Sequence, residues 1–144
     1  VRHGAGRSHP PSPADQVNAM AATLPLSGKT AVVMGGSGGI GAATARLLAE
    51  AGASVLVHWR GDEAAAKAVV ASLPPGDHFA SRADIEDSAT LAALAAAVKE
   101  RWGRVDILVN SAGFTKAVPA GDLDALDDEL IDRMFQVNWR GQFA

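Results

Sequence analysis

Short apolar segments alternate along the chain with longer segments of helical character. Thr30–Met34, Ser54–His58 and Val105–Val109 are apolar runs rich in β-branched residues, which is the pattern of strands buried on both faces of a parallel sheet. His78–Arg82 is a weaker run of the same kind and predicts a strand between the second and the last of these. The chain therefore has four candidate strands.

A helical segment follows each candidate strand. Ala42–Ala51 and Asp62–Leu73 have helix-forming compositions, and glycine or proline follows each of them, as at helix ends. Before the last strand, apolar residues recur at steps of three and four, which predicts one buried helical face. These residues are Leu91, Leu94, Val98 and Trp102. The tail from Asp124 to Ala144 predicts a fourth helix. Strands that alternate with helices predict an α/β fold, a Rossmann-type doubly wound parallel sheet built of right-handed βαβ units.

Residues 1–25 lack this alternation. Pro10, Pro11 and Pro13 stand among glycine, serine, histidine and arginine, which predicts a disordered leader ahead of a folded domain at residues 26–144. The leader has no apolar stretch followed by small residues, so we do not expect a secretory signal.

Composition narrows the classes of function. With 144 residues, 48% of them apolar and 20% charged, the chain has the size and polarity of one globular domain. Its net charge of −3 disfavours nucleic acid as a partner, and no apolar run is long enough to make a membrane partner expected. The absence of cysteine excludes disulfides, thiolate nucleophiles and thiolate zinc sites, and it fits a cytoplasmic protein.

The histidines do not have metal-ligand spacing, so we expect no metal site. Each of them is expected to be a surface or half-buried residue without a special role. They are His3, His9, His58 and His78.

A glycine cluster, Gly35–Gly41, lies between the first strand and the first helix. A dinucleotide pyrophosphate needs bare backbone amides, close approach without a Cβ atom, and the positive end of a helix dipole. Glycines meet the first two needs and the helix meets the third. A purely structural turn is the alternative, but the position between a buried strand and a helix favours nucleotide binding. Two patterns fit: Gly36, Gly38 and Gly41 match G-x-G-x-x-G, and Gly35, Gly39 and Gly41 match G-x-x-x-G-x-G.

A phosphate-binding loop of the NTPase type is a competing interpretation. Gly28-Lys29-Thr30 resembles the end of that motif, but Thr23 stands where its leading glycine belongs. The triplet also precedes the first strand, whereas the NTPase loop follows a strand. The order of the elements therefore excludes this interpretation.

A second motif makes a family recognisable. The segment Val105–Gly113 ends in Asn-Ser-Ala-Gly and resembles the strand-four N-N-A-G signature of short-chain dehydrogenases/reductases, with serine at its second position. Together with Gly35-x-x-x-Gly39-Ile40-Gly41 and the later Val137-Asn138, its order and spacing resemble that family from about Ser27 to Ala144. The resemblance selects the G-x-x-x-G-x-G pattern. It implies that the chain is the N-terminal, cofactor-binding portion of such an oxidoreductase, with strand order 3-2-1-4.

The resemblance implies a role for each residue of the glycine cluster. Gly35, Gly39 and Gly41 are expected to form the turn under the pyrophosphate, and the remaining contacts are expected from Ser37, Gly38 and Ile40. Met34 departs from the family, which usually has threonine at this position. We expect a less rigid loop, because the hydroxyl that ties it to the neighbouring strand is lost.

Further residues match family motifs beyond the cluster. Asp84 and Ile85 match the pair after strand three that contacts the adenine, and a helix N-cap is the structural alternative for Asp84. The segment that supports the central sheet and lies along the cofactor's ribose is matched by Asn110, Ala112 and Gly113. Asn138 matches the asparagine that holds a water in the proton relay behind the catalytic lysine; outside that context it is an ordinary helical residue.

The end of the second strand bears on the choice between NAD and NADP. Dinucleotide folds that prefer NAD place a carboxylate about 20 residues past the glycines, where it binds the ribose 2′-hydroxyl. The stretch Val57–Arg60 has no carboxylate there, and Arg60 could pair with a 2′-phosphate. We therefore expect NADP(H) as the cofactor, with NAD as the alternative. The structural alternative for Arg60 is an arginine in a solvated loop that has no role in binding.

The family's catalytic serine, tyrosine and lysine are expected beyond Ala144, and the chain contains no tyrosine. The resemblance implies hydride transfer between NADP(H) and a small carbonyl or alcohol substrate, in a protein that is homo-oligomeric. We expect the 144-residue chain by itself to be inactive and to self-associate through an unpaired edge strand. The alternative is a catalytically inactive dinucleotide-binding or interaction module. A reading frame that continues beyond Ala144 and encodes a serine and then Tyr-x-x-x-Lys favours the oxidoreductase over the inactive module.

Overall fold

The structure, a computed structural model, describes residues 24–144. Residues 1–23 of the predicted leader lie outside the described residues. Leu24 and Pro25 belong to a turn in which the Ser27 amide donates a hydrogen bond to the Leu24 carbonyl at 3.1 Å. The Leu26 amide donates to Ala51 O at 2.8 Å, so this turn is joined to the end of the first helix.

Within residues 24–144, four strands form one parallel sheet. They are β1 (Thr30–Met34), β2 (Ser54–Trp59), β3 (Phe79–Arg82) and β4 (Ile107–Asn110). Their order is β3-β2-β1-β4 and every neighbouring pair is parallel, which confirms the predicted fold class and strand order. β1 lies at the centre because its buried residues pair with both β2 and β4; Val33, for example, is in register with Val57 and with Val109.

In the described part of the chain, four α-helices connect or follow the strands. They are α1 (Gly39–Glu50), α2 (Glu63–Ala71), α3 (Ser88–Trp102) and α4 (Asp128–Asn138). Short 3₁₀ turns at Leu123–Ala125 and Arg140–Gln142 flank α4. The tail was predicted as one helix, which is wrong at both ends. The Asp127 carboxylate accepts the Leu130 amide at 2.8 Å and starts α4 there, and α4 ends at Asn138 with Trp139 as its C-cap residue.

Side chains of β1 alternate between two cores, one on each face of the sheet. Ala31 and Val33 pack with residues of α1, β2 and α2, whereas Val32 and Met34 pack with Leu56 and with the α3 face. The α3 residues Leu94 and Val98 are buried in that second core, and Leu91 and Trp102 pack against it, as the helical periodicity predicts. Burial on both faces explains why β1 and β2 read as continuous apolar runs.

β4 begins later than predicted and forms the edge of the sheet. Val105 is exposed, and the Asp106 carboxylate accepts the Thr30 amide at 2.9 Å before regular pairing starts at Ile107. Leu108 is 59% exposed and borders an apolar groove of about 410 Å³ between β4 and α3, next to Val32, Leu94 and Val98. Within residues 24–144, the outer edge of β4 pairs with no strand.

This groove predicts self-association of the 144-residue chain. We expect Leu108→Lys to shift the chain from oligomers towards monomer in analytical ultracentrifugation at micromolar concentration, because it puts a charge where apolar surfaces would meet. Leu47→Lys is the matched control, since Leu47 is 66% exposed on α1 and lies outside the groove. Monomeric wild-type chain across the concentration range would contradict the prediction.

Candidate functional site

The carboxyl ends of the four strands meet at one edge of the sheet, where an open cleft of about 290 Å³ lies. Parallel sheets place their ligand sites at this edge, outside the point where the strand order reverses. Here β1 is that point, since its chain neighbours β2 and β3 lie on one side and β4 on the other. The predicted site residues that line the cleft are Gly35, Ser37, Gly38, Arg60, Ile85, Ala112 and Gly113.

The N-terminus of α1 opens on this cleft. Gly38 is the N-cap residue with extended backbone, and its carbonyl accepts the first intrahelical hydrogen bond from the Ala42 amide at 2.6 Å. No side chain among residues 24–144 caps this helix, and its first turn has no acidic residue. Aspartates cap each of the other α-helices: Asp62, Asp87 and Asp127. The first amides of α1 and the positive end of its dipole are therefore available to an anion.

Tight packing explains two of the three glycines in the G-x-x-x-G-x-G pattern. Gly35 has a φ of +72°, and a Cβ atom there would lie 2.7 Å from the Ala112 amide nitrogen. A Cβ atom on Gly41 would collide with the Gly35 carbonyl oxygen, so α1 starts directly against the turn. These two residues are glycine because the protein's own backbone fills the space beside them.

Gly39 is different. Apart from its two chain neighbours and the backbone of its own helix, a Cβ atom on Gly39 would meet no atom of residues 24–144 within 4 Å. It is exposed in the first turn of α1, next to Ile40, whose side chain is 80% exposed. The protein itself therefore leaves the space over Gly39 open.

His58 was predicted to be a surface or half-buried residue, which is wrong: it is 3% exposed at the end of β2. Its Nδ1 atom accepts the Gly35 amide at 2.9 Å, and its Nε2 atom lies 3.0 Å from the Ala83 carbonyl oxygen. The loop that loses a hydroxyl at Met34 is thus tied to the neighbouring strand by an imidazole. A histidine that closes the buried run Val55–Val57 is the sequence feature that could have indicated this role.

Arg60 lines the cleft and its side chain is about half exposed. Its Nη1 atom lies 3.3 Å from Oε2 of Glu86, and Oε1 of Glu86 lies 3.6 Å from Nε of Arg133 on α4. The Glu86 carboxylate therefore lies between the guanidinium groups of Arg60 and Arg133, beside the cleft. The sequence did not single out Glu86, because nothing in its local context brings it towards β2.

Asp84 and Ile85 lie at the end of β3 but differ in position. Ile85 is buried and lines the cleft, whereas Asp84 does not line it. One Asp84 carboxylate oxygen accepts the Glu86 amide at 3.0 Å, and the Asp84 amide donates to the Thr90 hydroxyl oxygen at 2.8 Å. Asp87, not Asp84, caps α3, so the N-cap alternative for Asp84 is wrong.

Comparison with known proteins identifies the family. The family model for short chain dehydrogenases matches residues 29–144. The chain belongs to the short-chain dehydrogenase/reductase family. The chain is 39% identical to elsinochrome reductase 1 of Elsinoe fawcettii, with 84% of this chain and 45% of that protein aligned. It is 40% identical to versicolorin reductase 1 of Aspergillus parasiticus, over 82% of this chain and 45% of that protein.

Solved structures agree with this assignment. The crystal structure of a dehydrogenase/reductase from Sinorhizobium meliloti superposes with a TM-score of 0.76 at 37% identity, covering 88% of this chain and 50% of that one. The chain thus spans about half the length of the relatives that it matches. Members of the family are oxidoreductases that use NAD(P) cofactors, so the cleft lies where this short-chain dehydrogenase/reductase fold places a dinucleotide.

Two asparagines that match family motifs lie outside the lining of the cleft. Asn110 ends β4, and its side-chain nitrogen donates to the Gln142 carbonyl at 3.3 Å; it borders the apolar groove. Asn138 holds the backbone of Phe114 with both ends of its carboxamide, at 2.8 Å to the amide and 2.7 Å to the carbonyl. Asn138 thereby positions the Ala112–Gly113 segment that borders the cleft.

Across residues 24–144 no group of three histidine or acidic side chains is arranged to hold a metal ion, and no helix is long and apolar enough to cross a membrane.

The paired bonds of Asn138 predict a measurable contribution to stability. We expect Asn138→Ala to lower the free energy of unfolding by ~1 kcal/mol, because both Phe114 backbone groups lose their partner. Asn138→Asp is expected to lower it at least as much, since a carboxylate oxygen then faces the Phe114 carbonyl oxygen. Urea unfolding measures both, and Gln136→Ala, an exposed amide truncation on the same helix, is the control. Equal stability of all variants would contradict the role.

Proposed function

We propose that this chain is the NADP(H)-binding part of an oxidoreductase that transfers hydride between the cofactor and a carbonyl or alcohol substrate. The bound cofactor supplies or accepts the hydride, and the residues of this chain bind and orient it. Two relatives are named as reductases, of elsinochrome and of versicolorin, and this supports a carbonyl group as the reacting function.

The observation that carries the proposal is the open space over Gly39 at an uncapped helix N-terminus. The α1 amides and dipole attract a negatively charged group, and Gly39 lets that group approach the backbone. Gly35 and Gly41 hold the turn in shape through the protein's own contacts, whereas nothing among residues 24–144 needs glycine at position 39 for space. A pyrophosphate in that space accounts for the third glycine.

This difference between glycines gives a direct test. We expect Gly39→Ala to weaken NADPH binding at least tenfold, or ~1.4 kcal/mol, because the new methyl group occupies the space of the pyrophosphate. Its stability is expected to stay equal or to rise by up to ~1 kcal/mol, since alanine restricts the unfolded chain more than glycine does. Calorimetric titration of the 144-residue chain with NADPH and urea unfolding measure the two effects.

Gly41→Ala is the matched comparison. It is expected to destabilise the fold by ~2 kcal/mol or more, because its Cβ atom overpacks the turn against the Gly35 carbonyl. A wild-type chain that does not bind NADPH or NADH, or a Gly39→Ala variant that binds them as tightly as wild type, would overturn the proposal.

The preference for NADP(H) rests on Arg60. The cleft has no carboxylate at the end of β2 to repel a 2′-phosphate, and Arg60 lines the cleft with its guanidinium about half exposed. Glu86 already neutralises part of the Arg60 charge in this structure, at 3.3 Å. A bound 2′-phosphate must therefore compete with Glu86, and Arg133 remains as a second partner for that carboxylate.

We expect Arg60→Glu to weaken NADPH binding on the order of 10–100-fold, because it replaces a charge-assisted hydrogen bond with repulsion. NADH binding is expected to change less than about threefold, since NADH has no 2′-phosphate. Arg46→Ala serves as the control, because Arg46 lies on α1 and contacts Ser72 away from the cleft. Equal losses for both cofactors would contradict the assignment to NADP(H).

A further inference from the structure

One side chain joins the two parts of the cleft that lie on either side of β2. His58 extends from the end of β2, and its ring lies between the Gly35 turn and the end of β3 at Ala83. Gly35 opens the turn that leads to α1, and Ala83 directly precedes Asp84 and Ile85. The imidazole is thus the polar link between the glycine turn and the β3 end of the cleft.

The hydrogen bonds determine the state of the ring. The Gly35 amide is a donor, so Nδ1 of His58 must offer a lone pair. Nε2 then carries the proton of the neutral ring and donates to the Ala83 carbonyl oxygen. Only one tautomer of the neutral imidazole satisfies both contacts, and a protonated ring has no acceptor left for Gly35.

We infer that His58 is a positioning residue which, in its neutral state, holds the glycine turn in its dinucleotide-binding shape and couples that turn to the end of β3. The inference rests on the proposed dinucleotide binding. The backbone at Gly35 has a φ of +72°. Within residues 24–144 no other side chain of β2 hydrogen-bonds this turn, and Met34 of β1 has no hydroxyl that could do so. Without the His58 acceptor, the Gly35 amide lacks a hydrogen-bond partner, and the first amides of α1 are no longer oriented towards the pyrophosphate.

The charges around His58 set the direction of its pH dependence. Burial lowers the pKa of His58 below its ordinary value, although the hydrogen bond to Ala83 and the Asp84 carboxylate partly oppose this effect. Of the cations nearby, Arg82 of β3 faces the Trp59 ring and Arg60 pairs with Glu86. The buried ring is therefore neutral at and above the ordinary histidine pKa of about 6.5, and cofactor binding should weaken only at lower pH, as the pH falls through the lowered pKa of His58 and the ring takes up a proton.

Three variants test this role through the affinity for NADH, which avoids titration of a 2′-phosphate. His58→Phe keeps a ring of similar size but removes both nitrogens, and we expect at least a tenfold loss of affinity at pH 7.5. His58→Asn keeps an oxygen near the place of Nδ1 and cannot titrate, so we expect affinity within about threefold of wild type at pH 7.5. When the pH is lowered from 7.5 to about one unit below the pKa of His58 in the folded chain, the wild type is expected to weaken at least fivefold more than His58→Asn.

His78 provides a matched control. Its Nδ1 atom accepts the Val55 amide at 3.0 Å and its Nε2 atom lies 3.0 Å from the Pro74 carbonyl oxygen, the same two kinds of bond. It is remote from the cleft, so His78→Asn should leave the affinity and its pH profile as in wild type. If His78→Asn lowers the affinity as much as His58→Phe does, a general loss of stability explains both and the inference is overturned.

Hydrogen exchange of the Gly35 amide, measured without cofactor, decides the inference independently of binding. We expect protection in wild type and His58→Asn, loss of protection in His58→Phe, and a fall in protection at low pH in wild type alone. Wild-type exchange that His58→Phe does not accelerate would overturn the inference even where NADH binds. A wild type that shows these exchange differences but binds neither cofactor would instead reject the proposed function and leave the link itself supported.

Discussion

The close approach of α1 to the turn after β1 is the constraint on which the site depends. Gly41 lies so near the Gly35 carbonyl that no side chain fits between them, and Gly35 itself lies against the Ala112 backbone. The first turn of the helix is therefore pressed onto the carboxyl end of the central strand and onto the segment that follows β4. A larger residue at either glycine moves the helix away and with it the amides that face the cleft.

Electrostatics at the helix ends is consistent with this packing. Aspartates satisfy the N-termini of α2, α3 and α4, and each contributes a negative charge where the helix dipole favours one. The N-cap residue of α1 is Gly38, which has no side chain, so the first amides of α1 and the positive end of its dipole stay available to an anion. Among the α-helices of residues 24–144, α1 alone therefore has no side-chain cap at its N-terminus, which lies at the edge of the sheet where β1 separates β2 from β4.

Polar links between distant segments keep the rim of the cleft in place. His58 joins β2 to the glycine turn and to β3, and Asn138 joins α4 to Phe114 beyond β4. Glu86 stands between Arg60 and Arg133 and so connects the end of β2 with α4. Each link uses a hydrogen-bonding or charged side chain whose partner is far away in the sequence, so the rim is a product of the whole fold.

Local sequence determined the elements of this protein and their order, because burial on both faces produces apolar runs and one buried helical face produces steps of three and four. The position of the glycine turn between the first strand and the first helix followed from the same pattern, whereas the strand order followed from a family resemblance, and the structure agrees with both. Only the tertiary structure decided which glycines the protein needs for its own packing, where the tail breaks at Asp127, and that His58 is a buried link. Those properties depend on atoms that the fold brings together from separate segments of the chain. Contacts of this kind produce no periodic pattern in the sequence around the residue.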